Sequence, residues 1–294
     1  MKYSPRLLLL SILAAFALVA PVRAQSTANA MDAYIRPYVN SHNFAGSVLV
    51  TRGGTIVFDR AYGFSDIDRH IENKTVTSYH IASLSMAYTA ALVLHLIDKG
   101  RLSLDNTVGQ LVPGAANGAR SVREVLQNGT AEDYQDIPRL VEAATGTSFD
   151  EALSDFLFTS HWMTGSGLDD GDLDPDARRA KGYLPDGSPA PAVLWRQKAG
   201  GASAYTTTRD ELRFVEALLD GDLLKPATRA LILASGGYGW GRDGTVYEMA
   251  GQAGGFSAFV SYAPQVTVIV LGNIQSDASA AIGRKLAGVA LERR

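Results

Sequence analysis

β-Rich segments stand at both ends of this chain with a helical stretch between them, and that order constrains the fold more than any other feature. Gly46 to Arg52 and Thr55 to Tyr62 are strand-like runs around Gly53-Gly54, a two-residue glycine turn of the kind that joins hairpin strands. The β character returns only at Thr245 to Ala250, Gly255 to Tyr262 and Val266 to Gly272. Between them, Ser83 to Lys99 reads as a long apolar helix closed by Gly100, and Ser121 to Trp162 as further helix. Ser148 with Glu151, and Thr208 with Glu211, have capping-box spacing. The first would open a helix over Phe149 to Phe158, the second a helix ending near Asp220-Gly221. Met31 to Asn40 and Asp277 to Leu291 supply flanking helices. The expected fold class is α/β (α+β): a five-stranded, mainly antiparallel sheet built from both chain ends, flanked by helices, with an inserted all-helical lobe. The expected division of residues 25–294 is an α/β lobe of 31–75 and 196–294 and a helical lobe of 76–195, forming one domain.

Residues 1–24 stand apart from that pattern. Lys2 and Arg6 precede an uncharged run from Leu7 to Ala20, and Val22-Arg23-Ala24 ends it with cleavage-site spacing. The run is too short for a bilayer, so a removable export signal is expected, with no stable membrane span after its removal and a periplasmic or secreted location. Its loss would leave 270 residues and move the formal charge from −3 to −6. The remainder has no basic tract, which argues against nucleic acid or acidic membranes as the main partner. There is no cysteine, so disulfides, thiolate catalysis and cysteine-ligated metal are excluded.

Several short motifs carry no chemistry. Gly239 to Gly244 has GxGxxG spacing, but a strand follows where a dinucleotide site needs a helix, so a hairpin turn is expected. Asp170, Asp172 and Asp174 alternate like a calcium loop, yet Pro175 and Lys181 occupy the positions of its glycine and its bidentate glutamate. The five histidines (42, 70, 80, 95, 161) have no paired metal spacing; no metal and no cofactor are expected. There is no GxSxG elbow.

The informative stretch is Tyr79 to Ala90, where Ser83 precedes the long apolar helix. A serine there is either a plain helix cap or a nucleophile with the helix dipole behind it. The surroundings decide between them. Phe44 to Val50, Ala61-Tyr62-Gly63-Phe64, Ala144-Thr145-Gly146, Ala199-Gly200-Gly201 before Thr206 to Asp210, and Gly254-Gly255-Phe256-Ser257 follow one another in an order that resembles the serine β-lactamase and DD-peptidase superfamily. The likeness is greatest to class C β-lactamases and related esterases. It implies a site between two lobes with Ser83 as nucleophile. It also implies an oxyanion pocket made by the backbone amides of Ser83 and Gln252.

The same resemblance exposes departures. The superfamily's Ser-x-x-Lys lysine falls at Met86. Its Tyr-x-Asn falls at Gly129-Thr130-Ala131, where an intervening loop is also missing. Its third motif, Lys-Thr-Gly or His-x-Gly, falls at Met249-Ala250-Gly251 and keeps only the glycine. Methionine matches lysine in length without its charge. The expected cleft is therefore apolar, lined by Met86, Gly129, Thr130, Ala131, Met249 and Gly251. The implied function is a catalytically impaired, ligand-binding relative of the enzymes, taking a small apolar molecule, an ester or a peptide. The alternatives are an active serine hydrolase using Ser83 with a non-standard base, and an isomerase or cyclase reusing the cleft. His80, Asp133, Tyr134, Tyr205 and Glu248 are the replacement bases that sequence position suggests.

Overall fold

A computed structural model describes residues 27–169 and 178–292 of the protein. The expected export signal and the Asp170, Asp172 and Asp174 motif lie outside the described residues.

Helix α1 spans residues 27–40 and is followed by the hairpin of β1 (Gly46–Arg52) and β2 (Thr55–Tyr62). Short strands β3 (Phe64–Asp66), β4 (Ile71–Glu72) and β5 (Tyr79–His80) lead to a 3₁₀ turn at Ala82–Leu84 and to α2 (Ser85–Asp98). The helical middle contains α3 (Val108–Leu111), α4 (Val122–Asn128), α5 (Ile137–Thr145) and α6 (Phe149–Leu153). Ser148 caps α6 as its spacing predicts, and the helix continues as a π-helical turn over Ser154–Thr159. Then come β6 (Gly167–Leu168), β7 (Ala204–Thr206), α7 (Thr208–Leu219) and α8 (Pro226–Ser235). Strands β8 (Gly241–Asp243), β9 (Val246–Ala253), β10 (Phe256–Ala263) and β11 (Val266–Gly272) precede α9 (Ala278–Leu291).

The main sheet has the order β2-β1-β11-β10-β9-β8, antiparallel throughout. Both chain ends build it, since β1 from the start pairs with β11 from the end in register Gly46↔Gly272 to Arg52↔Val266. The five expected strands gain a short sixth, β8, inside the segment with GxGxxG spacing. That segment enters a hairpin with β9 and opens no helix.

Each central strand is buried on both faces because its side chains alternate between two apolar layers. Val48 and Val50 of β1, Phe259 of β10 and Val268 and Val270 of β11 pack with Met31, Ile35, Ile282 and Leu286 of α1 and α9. Leu49, Ala258, Val260, Ile269 and Leu271 face the other way, into a larger cluster with α2 and the helical middle. Helix α2 is buried from Ala87 through Leu94, which makes it the axis of that second layer.

One expected cap is corrected. The residue that caps α7 is Thr207, whose hydroxyl accepts from Asp210 N at 3.1 Å; Thr208 is already helical. Glu211 does not reach back to close a box. It turns inward and accepts the hydroxyl of Tyr88, both side chains being fully buried.

Candidate active site

Ser83 is held by main-chain contacts that fix the turn ahead of α2. Ile81 N donates to Ala204 O of β7 at 3.1 Å, and Leu84 N donates to Ile81 O at 3.1 Å. Ser85 Oγ accepts from Ala204 N at 3.0 Å. Ala82, immediately before Ser83, has φ +47°, a left-handed conformation that costs a non-glycine residue about 1–3 kcal/mol. The fold thus holds a strained backbone next to a half-buried serine, a pattern concentrated at functional sites.

Strand β9 passes directly across this turn. A Cβ on Gly251 would lie 2.1 Å from Ile81 O and 3.0 Å from Ser83 N, so no other residue fits. Strand β8 covers β9 only as far as Glu248, which leaves Ala250 to Ala253 as a free edge beside Ser83. A cavity of about 260 Å³ opens there, lined by Ser83, Gly251 and Gln252 together with Ser257, Ser276, Asp277 and Ser279. Ser83, Gly251 and Gln252 are therefore brought together.

The other expected lining residues do not line this cavity. Met249 is buried, Met86 is partly buried, and both belong to the apolar layer around α2. Gly129 ends α4, with no room for a side chain 2.3 Å from Val125 O. Thr130 is exposed and its N–H donates to Asp133, while the carbonyl of Ala131 presses on Gly201. The space beside Ser83 is lined by serine hydroxyls, the Asp277 carboxylate and the Gln252 side chain together with Ala250, Ala258 and Ala280, while Met86 and Met249 lie in the layer behind it.

Each candidate base is engaged elsewhere. His80 Nε2 lies 3.0 Å from Asp169, and its ring stacks on Trp195 at 4.2 Å; burial, more than the opposing pull of Asp169, sets its pKa below the usual histidine value. Asp133 is held by Thr130 N and by Arg120 at 3.1 Å, which keep it ionised to lower pH than usual. The buried Tyr134 donates to Leu126 O, and burial pushes its phenol well up. Tyr205 lies under the guanidinium of Arg179, and Glu248 pairs with Arg284 of α9 at 3.0 Å. Among the described residues the Ser83 hydroxyl makes no hydrogen bond.

Asp277, which sequence reasoning missed as a site residue, is the one ionisable side chain among the described residues that line the cavity. Strand alternation places it. Gln252 pairs with Ser257, on the face of β10 that meets α9, whereas Gly251 pairs with Ala258, on the face that meets α2. Asp277 precedes α9, so it approaches from across the sheet edge. The sequence reading placed it only at the start of a helix, and nothing local in the sequence signals proximity to a residue nearly two hundred positions earlier.

The family model for Beta-lactamase matches residues 31–130 and 137–292. Penicillin-binding protein PbpX of Bacillus subtilis (strain 168) is 24% identical over 292 residues, covering 83% of this chain and 74% of that protein. The structure of FmtA from Staphylococcus aureus superposes with a TM-score of 0.80 at 16% identity, over 90% of this chain and 87% of the other. A class C beta lactamase from Rhodobacter sphaeroides superposes with a TM-score of 0.75 at 16% identity, over 88% and 98% respectively.

Proposed function

The chain belongs to the Beta-lactamase family, and from that premise we propose that it is an exported, catalytically impaired member that binds a carbonyl-bearing ligand at Ser83 without efficient turnover. What supports this reading is the setting of the Ser83 hydroxyl, to which no titratable side chain among the described residues is hydrogen-bonded, together with the thioethers Met86 and Met249 at the positions where the sequence resemblance would put a base. A missing general base costs roughly 10² to 10⁴ in rate, while backbone donors alone retain roughly 10³ over water. Activated esters then acylate slowly, and lactams or amides do so less.

The surroundings favour an ester or peptide over a purely apolar molecule, because hydroxyl and amide groups line the cavity at the serine. In this reading Ser83 N and Gln252 N receive the carbonyl oxygen. The export part rests on the charge and apolar pattern of residues 1–24; among the described residues no helix is long and apolar enough to cross a membrane.

Asp277 favours a second reading, an active hydrolase whose base reaches Ser83 around the edge of β9. Intact-mass measurement separates the two. The protein, Ser83→Ala and Asp277→Asn are each treated with a labelled penicillin and a nitrophenyl ester. Impaired binding predicts a slow ester adduct that vanishes in Ser83→Ala and persists in Asp277→Asn, with no turnover of the penicillin. Rapid turnover lost in both variants overturns the binding reading in favour of the hydrolase.

A further inference from the structure

A second cavity, of about 320 Å³, lies away from Ser83 and shares no lining residue with the cavity there. Arg178, Arg179, Arg209 and Arg213 line it, and among the described residues Asp210 is the carboxylate that does so. Thr75, Ser78, Thr164 and Tyr205 add hydroxyl groups. In a chain whose formal charge is −3, this is a local concentration of cations that composition does not require.

The guanidiniums of Arg179, Arg209 and Arg213 are held in place by contacts that can be named. Arg179 lies 3.8 Å from the ring centroid of Tyr205 and 3.9 Å from Asp169. Arg209 donates through one terminal nitrogen to Asp59 at 2.6 Å, and Arg213 pairs through one terminal nitrogen with Asp210. A guanidinium carries five N–H donors, so these contacts leave most of them for a ligand. Asp210 is already occupied: its Oδ2 accepts from Gly165 N at 2.8 Å and Ser166 Oγ at 3.1 Å, and its other oxygen meets Arg213. The cavity also includes Thr207, the cap of α7, where the helix dipole adds positive potential.

We propose that this cavity binds a phosphate group, carried by a small ester, a lipid headgroup or the free ion. Guanidinium forks match phosphate oxygens two at a time, and the N–H donors that the carboxylate contacts leave over can meet several such oxygens. The donors come from separate segments, around residues 75–78, 164, 179 and 207–213, and so are not confined to one element. That suits a tetrahedral group with several acceptor oxygens better than a planar carboxylate. The volume lies at the lower end of ligand pockets and exceeds the needs of a bare ion, which points to an ester.

The test uses purified protein at fixed ionic strength. Calorimetry with inorganic phosphate and with glycerol 3-phosphate reads soluble ligands. Co-sedimentation with phosphatidylglycerol vesicles, set against phosphatidylcholine vesicles, reads a headgroup. The expected result is saturable binding in at least one arm, with Kd below about 1 mM for a soluble probe. Arg179→Gln and Arg209→Lys are expected to weaken it at least about tenfold, a loss of one good charged contact, while Ser83→Ala binds normally. Arg209→Lys keeps a cation opposite Asp59 and therefore reads the site even if Arg179→Gln fails to fold. No saturable binding in any arm, or binding that Arg209→Lys leaves unchanged, overturns the proposal.

Discussion

Glu211 is a carboxyl group enclosed between α2 and α7, and its burial, opposed only by the hydroxyl of Tyr88, raises its pKa to about 7. Folding therefore favours its protonated form. The stability this gives is fully present below the ordinary glutamate value and is lost as pH rises through about 7. The shift corresponds to roughly 3 kcal/mol between the two limits. Glu211→Gln is expected to flatten the urea-midpoint profile between pH 5 and pH 8 relative to the unchanged protein; equal slopes in the two would refute the assignment. At Met86 a charge has the opposite effect to a neutral thioether. Met86→Lys would place an ammonium against the apolar layer, costing roughly 3–5 kcal/mol in a denaturant titration and giving no faster ester adduct. The sequence made Ser83 conspicuous because its neighbours along the chain have a recognisable order. It misassigned Glu211 to a capping box with Thr208, since Thr207-x-x-Asp210 and Thr208-x-x-Glu211 are both chemically acceptable caps, and only the position of Tyr88 decides between them.

At the scale of elements, the long apolar strands and α2 were legible because periodicity accumulates over seven or more residues. Strand β8 was not, as its three residues Gly241, Arg242 and Asp243 are all exposed and carry no alternation. Strands β5, β6 and β7 have two or three residues each and exist through pairing with one another, which no local pattern records. The cavity at Ser83 was half legible for the same reason. Gly251 and Gln252 followed from motif position, but Ser257, Ser276 and Asp277 arrive through the β9–β10 pairing and the start of α9. The start of α7 offers a paired test. Thr207→Val removes a capping hydroxyl and is expected to cost about 1 kcal/mol. Thr208→Val removes a buried hydroxyl that has no partner, and is expected to be neutral or stabilising. Equal losses in chemical denaturation would count against the assigned cap.

For the whole molecule, the union of chain ends in one sheet ties the site to distant parts of the sequence. Ser83 faces β9, which is anchored by β10 and β11, and β11 is seated on β1. The cavity thus depends on contacts that span most of the chain, so its shape responds to changes far from it. The register Gly46↔Gly272 also sets an order of events during synthesis. Until Val266 to Gly272 has emerged, β1 has β2 on one side and an open, apolar edge on the other, available to any neighbouring strand. A chain ending at Gln265 is expected to be insoluble when expressed, whereas one lacking only the last residues beyond Leu291 is expected to remain soluble, as a sedimentation assay would show. A nascent chain of this kind cannot close its main sheet before the segment Val266 to Gly272 has been made.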